Sequence, residues 1–329
     1  MNLTNKRILL FAPSFFGYEK SIQSRLKEMG AAVDFFDERP SNNLLVKLLI
    51  RFKRRSVEFI INRYYHKVLT VILDERYDYV IVINIEAMPY DFLTKLRAIN
   101  IKAKFILYMW DSIAYKPKIP QYVTIFDSVF SFDKDDCKMY SNMKFRPLFF
   151  LNEYADIADK RDYTYDVSFV GTAHTDRFSI IQKLLAMLTA RGMSVYTYFY
   201  MQNRRVYLLY KFTNPKFKES KMKNFHYRAL SHETILEIIA SSRIVIDIQG
   251  PNQKGLTIRT IEMLGAKRKL ITTNQQIKEY DFYNPSNILV IDRENPQIPQ
   301  DFLDTDYTPI DKNIYNKYSI DTWIEEITQ

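Results

Sequence analysis

Short apolar runs alternate with polar or amphipathic stretches of helix length along the whole chain. The first half contains RILLFA, YDYVIVIN, KFILYMW and DSVFSF, and the second contains DVSFV, FHYRAL, RIVIDIQ, KLITTN and NILVID. Runs that are apolar at nearly every position are typical of strands buried on both faces, and their alternation with helices is typical of a parallel sheet. The pattern predicts an α/β protein with doubly wound sheets.

The same βαβ opening occurs twice. RILLFAPSFFGYEKSIQSRLKEMGAAVDFF and DVSFVGTAHTDRFSIIQKLLAMLTARGMSVYTY each begin with a strand, then a glycine-containing loop, a helix, a glycine and a second strand. Gly30 and Gly192 stand just past the predicted helices, where a left-handed residue commonly ends a helix. Since 329 residues exceed the size of one core, we expect two Rossmann-like domains, 1–155 and 156–329, with a cleft between them.

Two further segments complete this predicted architecture. The charged and aromatic stretch NEYADIADKRDYTYD precedes the second βαβ opening and is interpreted as the linker between the domains. The last segment, DKNIYNKYSIDTWIEEIT, has the apolar spacing of one terminal helix.

Composition excludes several classes of protein. One cysteine, Cys137, rules out an intramolecular disulfide framework, and four scattered histidines provide no recognisable metal-ligand spacing. The first residues lack the pattern of a signal peptide, and no apolar run approaches the length of a membrane span. We expect a cytoplasmic protein without a bound metal or a resident cofactor.

The net charge of +9 is concentrated in two segments. Residues 43–68 hold seven Lys or Arg against Glu58, and residues 203–228 hold eight against Glu219. The first segment predicts a basic amphipathic helix, which would either lie on the inner face of an anionic membrane or form an ordinary solvated face. The second mixes basic and aromatic residues but contains no nucleic-acid-binding motif, so nucleic acid is not expected as a partner.

One face of the predicted basic helix carries its charges. The residues on that face are Lys47, Arg51, Arg54, Arg55 and Glu58.

Open parallel sheets bind ligands beyond the carboxyl ends of their strands, where helix N-termini hold phosphate groups. Three loops qualify: APSFFGYE, VGTAHTDR and GPNQKGLT. The residues of interest in them are Gly17 in the first, Gly171, Thr172, His174 and Arg177 in the second, and Lys254, Gly255, Leu256 and Thr257 in the third.

Simpler interpretations of these loops stay open. The second loop can be an ordinary turn in which Thr175 or Asp176 caps the following helix. The third has the glycine spacing of a phosphate-binding loop, but Leu256 stands where such a loop needs lysine, which argues against a nucleotide hydrolase. FSFDKDD imitates a metal-binding DxD motif, although Asp133 more simply caps the next helix.

The helix in GLTIRTIEMLGA raises the sharpest question. Its apolar residues surround the whole circumference, as in a buried helix, yet Glu262 lies in the middle. An unpaired carboxylate there would cost several kcal/mol, on the order of magnitude measured for buried charges. Either Arg259, one turn earlier, forms an ion pair with it, or a ligand is its partner.

The segment KGLTIRTIEMLGAKRKLITTN resembles the donor site of GT-B glycosyltransferases, in which a glycine-containing loop leads into a helix that bears a glutamate. Together with DVSFVGTAHTDR it is most similar to the CgeB-like bacterial branch. The resemblance covers about residues 165–275. It implies that Glu262 accepts hydrogen bonds from the donor ribose, a role that suits a carboxylate facing a cis-diol.

The resemblance also has a departure. Many retaining members carry a second glutamate eight residues before the first, where this chain has Lys254. A lysine could neutralise a pyrophosphate but could not accept hydrogen bonds from a sugar. Retention or inversion at the anomeric carbon therefore stays open, and Arg177 is a second pyrophosphate candidate for a metal-independent reaction.

Two carboxylates of the first domain stand just past apolar strands and could act as a general base for an acceptor hydroxyl. They are Glu86 in INIEAMP and Asp111 in YMWDSIAYKP, and Asp111 is favoured because Trp110 and Tyr115 could stack on a sugar. The alternative for each carboxylate is a helix cap or a turn.

The expected function is that of a hexosyltransferase-like glycosyltransferase. It would move a sugar from a nucleotide-sugar to a bacterial surface glycan or polyprenol-linked acceptor, in polysaccharide, capsule or lipopolysaccharide synthesis. A nucleotide-sugar epimerase on the same architecture and a non-catalytic nucleotide- or glycan-binding module are the alternatives. The sequence leaves the sugar, nucleobase, acceptor, linkage and oligomeric state open.

Overall fold

A computed structural model describes residues 2–116, 118–173, 175–251 and 253–329. The chain forms two compact units. The first comprises the chain up to Leu148 together with Ile320–Gln329, and the second comprises Phe149–Ser319. The sequence placed the boundary at 155/156 and assigned the last helix to the second domain, so the structure divides the chain differently at both points.

The elements follow one another in the predicted alternation. The strands are β1 Arg7–Ala12, β2 Ala32–Asp37, β3 Tyr79–Ile83, β4 Lys104–Met109, β5 Ser128–Ser131, β6 Met143–Phe145, β7 Tyr165–Thr172, β8 Val195–Tyr200, β9 Ser242–Asp247, β10 Lys269–Thr272 and β11 Ile288–Val290. The helices are α1 Tyr18–Glu28, α2 Leu44–Phe52, α3 Glu58–Ile72, α4 Tyr90–Ile99, α5 Lys134–Met139, α6 Asn152–Asp156, α7 Arg177–Ala190, α8 Arg204–Thr213, α9 His232–Ala240, α10 Ile258–Gly265, α11 Gln300–Asp304, α12 Lys312–Lys317 and α13 Ile320–Thr328.

The first unit contains a six-stranded sheet in the order β2-β1-β3-β4-β5-β6, and all its strand pairs are parallel. Its central strands are buried, as their apolar sequences require, and helices α3 and α4 pack on them through residues such as Tyr65, Val68 and Leu93. Helix α13 returns to this unit, where Trp323 packs edge-on against Tyr108 of β4.

The second unit contains a five-stranded parallel sheet in the order β11-β10-β9-β7-β8. If the strands of this unit are numbered from its own first strand, the order is 2-1-3-4-5. The first unit has the order 2-1-3-4-5-6, which is the same arrangement with a sixth strand added at the edge. The expected fold class, two Rossmann-like doubly wound α/β domains, is thus present. Gly30 and Gly192 have φ of +98° and +73°, which confirms the predicted left-handed helix ends.

Three local predictions are wrong. Residues 225–230 (FHYRAL), all described, form no strand beyond one bridge between Tyr200 and His226. The terminal helix is two helices, α12 and α13, because the chain turns at Tyr318 and Ser319, where Tyr318 donates its hydroxyl to Asp281. The predicted linker contains α6, whose Tyr154 is buried.

The basic amphipathic helix predicted over 43–68 is also interrupted. Helix α2 ends at Phe52, residues Arg54–Val57 form a 3₁₀ turn, and α3 begins at Glu58. Within this turn, the guanidinium of Arg54 donates to the carbonyl oxygens of Glu86 (2.6 Å) and Ala87 (2.7 Å). Arg54 therefore faces the protein instead of sharing an outer face with Arg51. The helix cap predicted at Asp133 is confirmed, since its carboxylate accepts from the Asp135 N–H at 2.9 Å.

Candidate functional site

Strands β7 and β9 are neighbours in the second sheet although β8 lies between them in the chain, so the winding direction of the sheet reverses there. Such a switch point is where open α/β sheets bind ligands. Arg177, the first residue of α7, spans it: Nε donates to the Ile248 carbonyl (2.7 Å) and Nη1 to the Thr172 carbonyl (2.9 Å). Its guanidinium thus fixes the ends of both strands.

Arg177 is largely enclosed by this arrangement. Burial lowers its pKa from the usual value, and the negative charge of Asp247 opposes that effect. Arg177, which the sequence proposed as a pyrophosphate ligand, therefore also holds two strand ends in place. Gly171 and Thr172 close β7 beside it, whereas His174 lies outside the described residues.

A second arginine, Arg293, was missed by the sequence analysis. Its Nη1 lies 2.8 Å from both carboxylate oxygens of Asp176, and its Nη2 donates to the Gln249 carbonyl (2.7 Å) and to Thr273 Oγ1 (3.2 Å). One guanidinium thereby connects the loops that follow β7, β9 and β10. Because Arg293 is 117 residues from Asp176 in the chain, only its place just after the run NILVID could have pointed to it.

Arg293 also changes the role expected for Asp176. Asp176 occupies the position before α7, but its side chain makes no capping hydrogen bond. Burial raises its pKa, but the hydrogen bond and the charge of Arg293 outweigh burial, so the pKa lies below its usual range. The carboxylate therefore serves the strand-end network instead of the helix end.

The third predicted loop leads into α10 through a built helix cap. Thr257 Oγ1 accepts from the Thr260 N–H at 3.2 Å, and Asp247 at the end of β9 accepts from the hydroxyls of both threonines, at 3.0 Å from Thr260. Because Thr257 caps its first turn, this eight-residue helix begins at a fixed position. The loop and the helix are thus held by the strand that they follow.

The remaining residues of this loop are arranged around Asn274. Its Nδ2 donates to the carbonyl oxygens of Lys254 (3.1 Å) and Gly255 (3.3 Å), while Gly255 and Leu256 are buried and the side chain of Lys254 is exposed. The backbone is therefore fixed from β10, and Lys254 extends to the surface of the second unit. This placement is compatible with the role proposed for Lys254.

Glu262 is 4% exposed, and its partner lies in the chain itself. Arg259 Nη1 is 2.9 Å from Glu262 Oε2, one helical turn away. The ion pair considered as the alternative to a ligand is therefore present, and it accounts for the buried carboxylate without a bound molecule. That Glu262 also contacts a ribose, in addition to Arg259, remains a prediction.

Tyr154 completes the surroundings of the pair. It is 1% exposed, and its hydroxyl forms hydrogen bonds with Glu262 and Arg259. Burial and the charge of Glu262 raise its pKa above the usual value, so it stays protonated and can donate. The segment interpreted as a linker thus supplies a side chain to the candidate donor site, which no periodicity could have revealed.

In the first unit, the two base candidates lie together. Lys116 forms an ion pair with Glu86, and its Nζ is 3.6 Å from Asp111 Oδ2. Asp111 also accepts from Asn84 Nδ2 at 2.9 Å. The two carboxylates differ in access, because the Asp111 side chain is 49% exposed and that of Glu86 is 25% exposed, with Arg39 at 3.8 Å as a second cation. Asp111 is thus the more accessible of the two carboxylates.

Glu38 holds the loop that carries Glu86. It is fully buried, and its Oε1 accepts from the N–H groups of Glu86 (2.8 Å), Ala87 (2.7 Å) and Met88 (2.7 Å). Burial raises the pKa of Glu38 to about 8, although the three donors oppose the shift. Arg54 donates to carbonyl oxygens of the same loop. The loop is therefore held through its N–H groups by Glu38 and through its carbonyl oxygens by Arg54.

Aromatic residues flank this edge of the first sheet. Phe15, in the loop after β1, lies 5.7 Å from Trp110 between ring centroids. Gly17 precedes α1 with φ of +87°, a left-handed conformation that suits glycine. Trp110 is partly exposed, as a sugar-stacking residue requires, while the side chain of Tyr115 lies outside what the structure describes.

Helices that could span a membrane were sought over the described residues, and none has the necessary length and apolar character.

Comparisons with known proteins place the fold. No family model matches the sequence, and no curated protein matches it. Among solved structures, an alpha-glucosyltransferase in complex with UDP and DNA has a TM-score of 0.67 at 13% identity, over 99% of this chain and 100% of that one. Sucrose-phosphate synthase from Thermosynechococcus elongatus has a TM-score of 0.57 at 10% identity, over 88% and 87%.

A third similar structure has a different activity. UDP-GlcNAc 2-epimerase from Methanocaldococcus jannaschii, in complex with UDP-GlcNAc and UDP, has a TM-score of 0.54 at 12% identity and covers 98% of this chain and 99% of its own. Identities this low establish the fold alone. The chain has the two-domain, Rossmann-like fold of the GT-B glycosyltransferases and of the related epimerases.

Proposed function

We propose that the protein is a metal-independent glycosyltransferase of the CgeB-like branch, which transfers a hexose from a nucleotide-sugar. The observation that carries the proposal is the switch point of the second unit. Two arginines and a capped helix start meet there beside the Arg259–Glu262 pair. Cations and helix N-termini are suited to a pyrophosphate, and a carboxylate is suited to a ribose diol.

The donor is proposed to be a uridine diphosphate sugar. The glucosyltransferase and the epimerase of the same fold were both solved with UDP. In this chain, Glu262 would accept hydrogen bonds from the ribose, while Lys254 and Arg177 would balance the charge of the departing diphosphate. Thr257 would contribute through the helix start that it caps.

The acceptor chemistry is assigned to the first unit. A hydroxyl oxygen of the acceptor forms the new bond to the anomeric carbon, the bond from that carbon to the phosphate oxygen breaks, and the hydroxyl proton passes to Asp111. Glu86 is the second candidate, but its pairing with Lys116 and Arg39 makes it less available. Trp110 is proposed to stack on the acceptor sugar.

The proposed acceptor is a bacterial surface glycan carried on a lipid, because α2 presents a surface suited to a membrane. Leu45, Leu48 and Phe52 recur on the outer face of the helix and are exposed, Phe52 at 73%, and Arg51 is exposed beside them. We call these four residues the α2 surface. Apolar side chains flanked by cations are the composition that binds an anionic bilayer. The protein would then act at the cytoplasmic face of a membrane.

Donor turnover with and without acceptor tests the function. The full chain is incubated with UDP-sugars, alone and with a membrane extract that supplies lipid-linked glycans, and products are followed by NMR and mass spectrometry. A glycosyltransferase releases UDP faster with acceptor and lengthens a glycan. Conversion of the donor to its epimer without acceptor would favour the epimerase, and donor binding without turnover would favour the binding module.

A further inference from the structure

Helix α8 of the second unit has two contrasting faces. The inner face packs into the core of the unit through Tyr207 and Tyr210, which contact Phe225 and Phe217. The outer face exposes Leu208 (44%), Leu209 (59%) and Phe212 (84%). Residues at such i, i+1 and i+4 positions form one continuous stripe. Large apolar side chains are therefore clustered on the exposed face of a helix whose other face already packs into the core.

Basic residues are frequent on α8 and in the segment that follows it, 214–228. Those that are exposed are Arg204, Arg205, Lys216, Lys218, Lys221, Lys223 and Arg228. Against them stand Glu219, which is also exposed, and Glu294, whose carboxylate is 3.7 Å from Lys216. Lys211 is the exception, since it turns inward to the carbonyl oxygens of Lys218 and Ser220. The segment that carries the stripe thus exposes a strong positive excess.

We propose that this region, the α8 surface, docks on an anionic lipid bilayer. It comprises Leu208, Leu209 and Phe212 together with the exposed basic residues named above. The three apolar side chains enter the boundary between headgroups and acyl chains, and the surrounding cations pair with lipid phosphates. Charge complementarity selects an anionic membrane, and the apolar stripe gives the contact a component that salt does not screen.

The placement of the aromatic residues argues against nucleic acid as the occupant. Of the aromatic residues of this segment, Tyr207, Phe217 and Phe225 are buried in the core and offer no ring to a base. Single-stranded nucleic acid is bound by exposed aromatic rings along a basic groove. On the α8 surface, two of the three large apolar side chains are leucines, which suit acyl chains and not bases.

The α8 surface extends membrane binding to the second unit, and it does not depend on the sugar-transfer chemistry. It is also separable from the α2 surface, because the two lie in different units and are altered by different substitutions. The measurement is co-sedimentation of the full chain with phosphatidylcholine vesicles, with and without a minority of phosphatidylglycerol.

The test variant is Leu209→Ser combined with Phe212→Ser. Its matched control is Ile101→Ser, an exposed apolar residue (78%) of the first unit outside both surfaces. We expect the double variant to lower the partition into anionic vesicles by about tenfold or more, since two apolar side chains no longer leave water. The control should bind as the wild type does, and melting temperatures of both variants should stay near that of the wild type.

A charge variant separates headgroup pairing from apolar insertion. Lys218→Glu with Lys221→Glu should weaken binding to anionic vesicles by about tenfold and leave the weak binding to pure phosphatidylcholine unchanged. Unaltered vesicle binding by both α8 variants would overturn the proposal. So would a single-stranded oligonucleotide whose binding these variants abolish while vesicle binding persists, because that result assigns the surface to nucleic acid.

Discussion

The two units have the same strand order but different chemistry at their strand ends. In the first unit, a carboxylate is left accessible: Asp111 is half-exposed beside Lys116, and Glu38 is buried beneath the neighbouring loop. In the second unit, arginines connect the strand ends, and carboxylates such as Asp176 are held against them. The same strand order thus presents an accessible carboxylate in one unit and a cationic, capped helix start in the other.

Under the proposed function, this difference divides a transfer reaction between the two units. A base has to be accessible to a hydroxyl, whereas a diphosphate requires fixed cations and N–H donors. The strand order sets where each site lies, and the residues after the strands decide what each site binds. Substitutions confined to one unit therefore separate the two sets of contacts.

The largest expected effect concerns Glu38. Its pKa is about 8 in the folded chain against an ordinary value of 4.5, a difference of 3.5 units. At about 1.36 kcal/mol per unit, this corresponds to roughly 5 kcal/mol at most. Because the unfolded chain releases this proton first, the contribution of Glu38 to stability falls as pH rises from about 4.5 to about 8.

The comparison with Glu38→Gln isolates that contribution, since glutamine does not titrate. Free energies of unfolding from denaturant titrations are measured for both proteins across this pH range. The difference between wild type and variant should decrease steadily with rising pH. A difference that is constant with pH would show that Glu38 does not titrate in this window and that its loop is held in another way.

The next effect concerns the arginine that connects the strand ends of the second unit. Arg293→Met leaves Asp176 without the cation that lowers its pKa, and breaking such a pair costs about 3 kcal/mol. The matched control is Lys183→Met, which removes an exposed cation that donates to the Glu294 carbonyl. Denaturant unfolding should show a clear loss for Arg293→Met and about 0.5 kcal/mol or less for the control.

The same pair predicts an acid dependence with a definite sign. The folded pKa of Asp176 is lowered, so its stabilisation is present above the ordinary aspartate pKa and is lost as pH falls through the folded value. Wild type should therefore lose part of its advantage over Arg293→Met at low pH. An advantage that persists undiminished in acid would contradict the role given to this pair.

For the first unit, Asp111→Asn keeps size and polarity but cannot accept the proton. Turnover should fall by about a hundredfold or more, with little change in donor affinity. Glu86→Gln is the control, because its carboxylate already binds Lys116, and it should retain most of the turnover. Steady-state kinetics on both variants decides the assignment, and the reverse order of effects would transfer the role to Glu86.

The sequence predicted the helices and strands better than it predicted which side chains contact one another. Strands and helix ends depend on local patterns, which is why the βαβ openings and the turn at Gly192 are present as expected. Arg293 and Tyr154 were missed because each meets its partner across about a hundred residues. Arg54 was misassigned for the same reason, since the carbonyl oxygens that attract it lie 32 and 33 residues further along the chain.

The smallest predicted effect concerns the α2 surface of the first unit, and the position of Arg54 decides which arginines can be replaced in the test. Arg51→Glu, together with Arg55→Glu in the turn just after α2, reverses two exposed charges and should weaken binding to anionic vesicles by about tenfold, while a soluble acceptor is still used normally. Arg54→Glu is unsuitable for this test, because it would break the contacts with the 86–88 loop. Vesicle binding that is unchanged and insensitive to salt would contradict the proposed surface.

The central claim is that Glu262 contacts the ribose of a nucleotide, and the Arg259–Glu262 pair changes how it must be tested. Because Glu262→Gln leaves Arg259 without its charged partner, the melting temperature without ligand should fall whether or not a ribose binds. Only the affinity for nucleotide distinguishes the two roles. Tyr154→Phe is the matched control, since it removes a hydroxyl from the same cluster and keeps the carboxylate.

Isothermal titration of UDP into wild type, Glu262→Gln and Tyr154→Phe is therefore the most direct measurement. A ribose contact predicts that Glu262→Gln weakens binding by roughly 1.5 to 3 kcal/mol, the loss of a charged hydrogen bond, because an amide offers one good acceptor to a diol with two donors. Tyr154→Phe should bind UDP nearly as the wild type does. A Glu262→Gln protein that melts earlier but binds UDP with unchanged affinity would contradict the account, since Glu262 would then serve only its ion pair with Arg259.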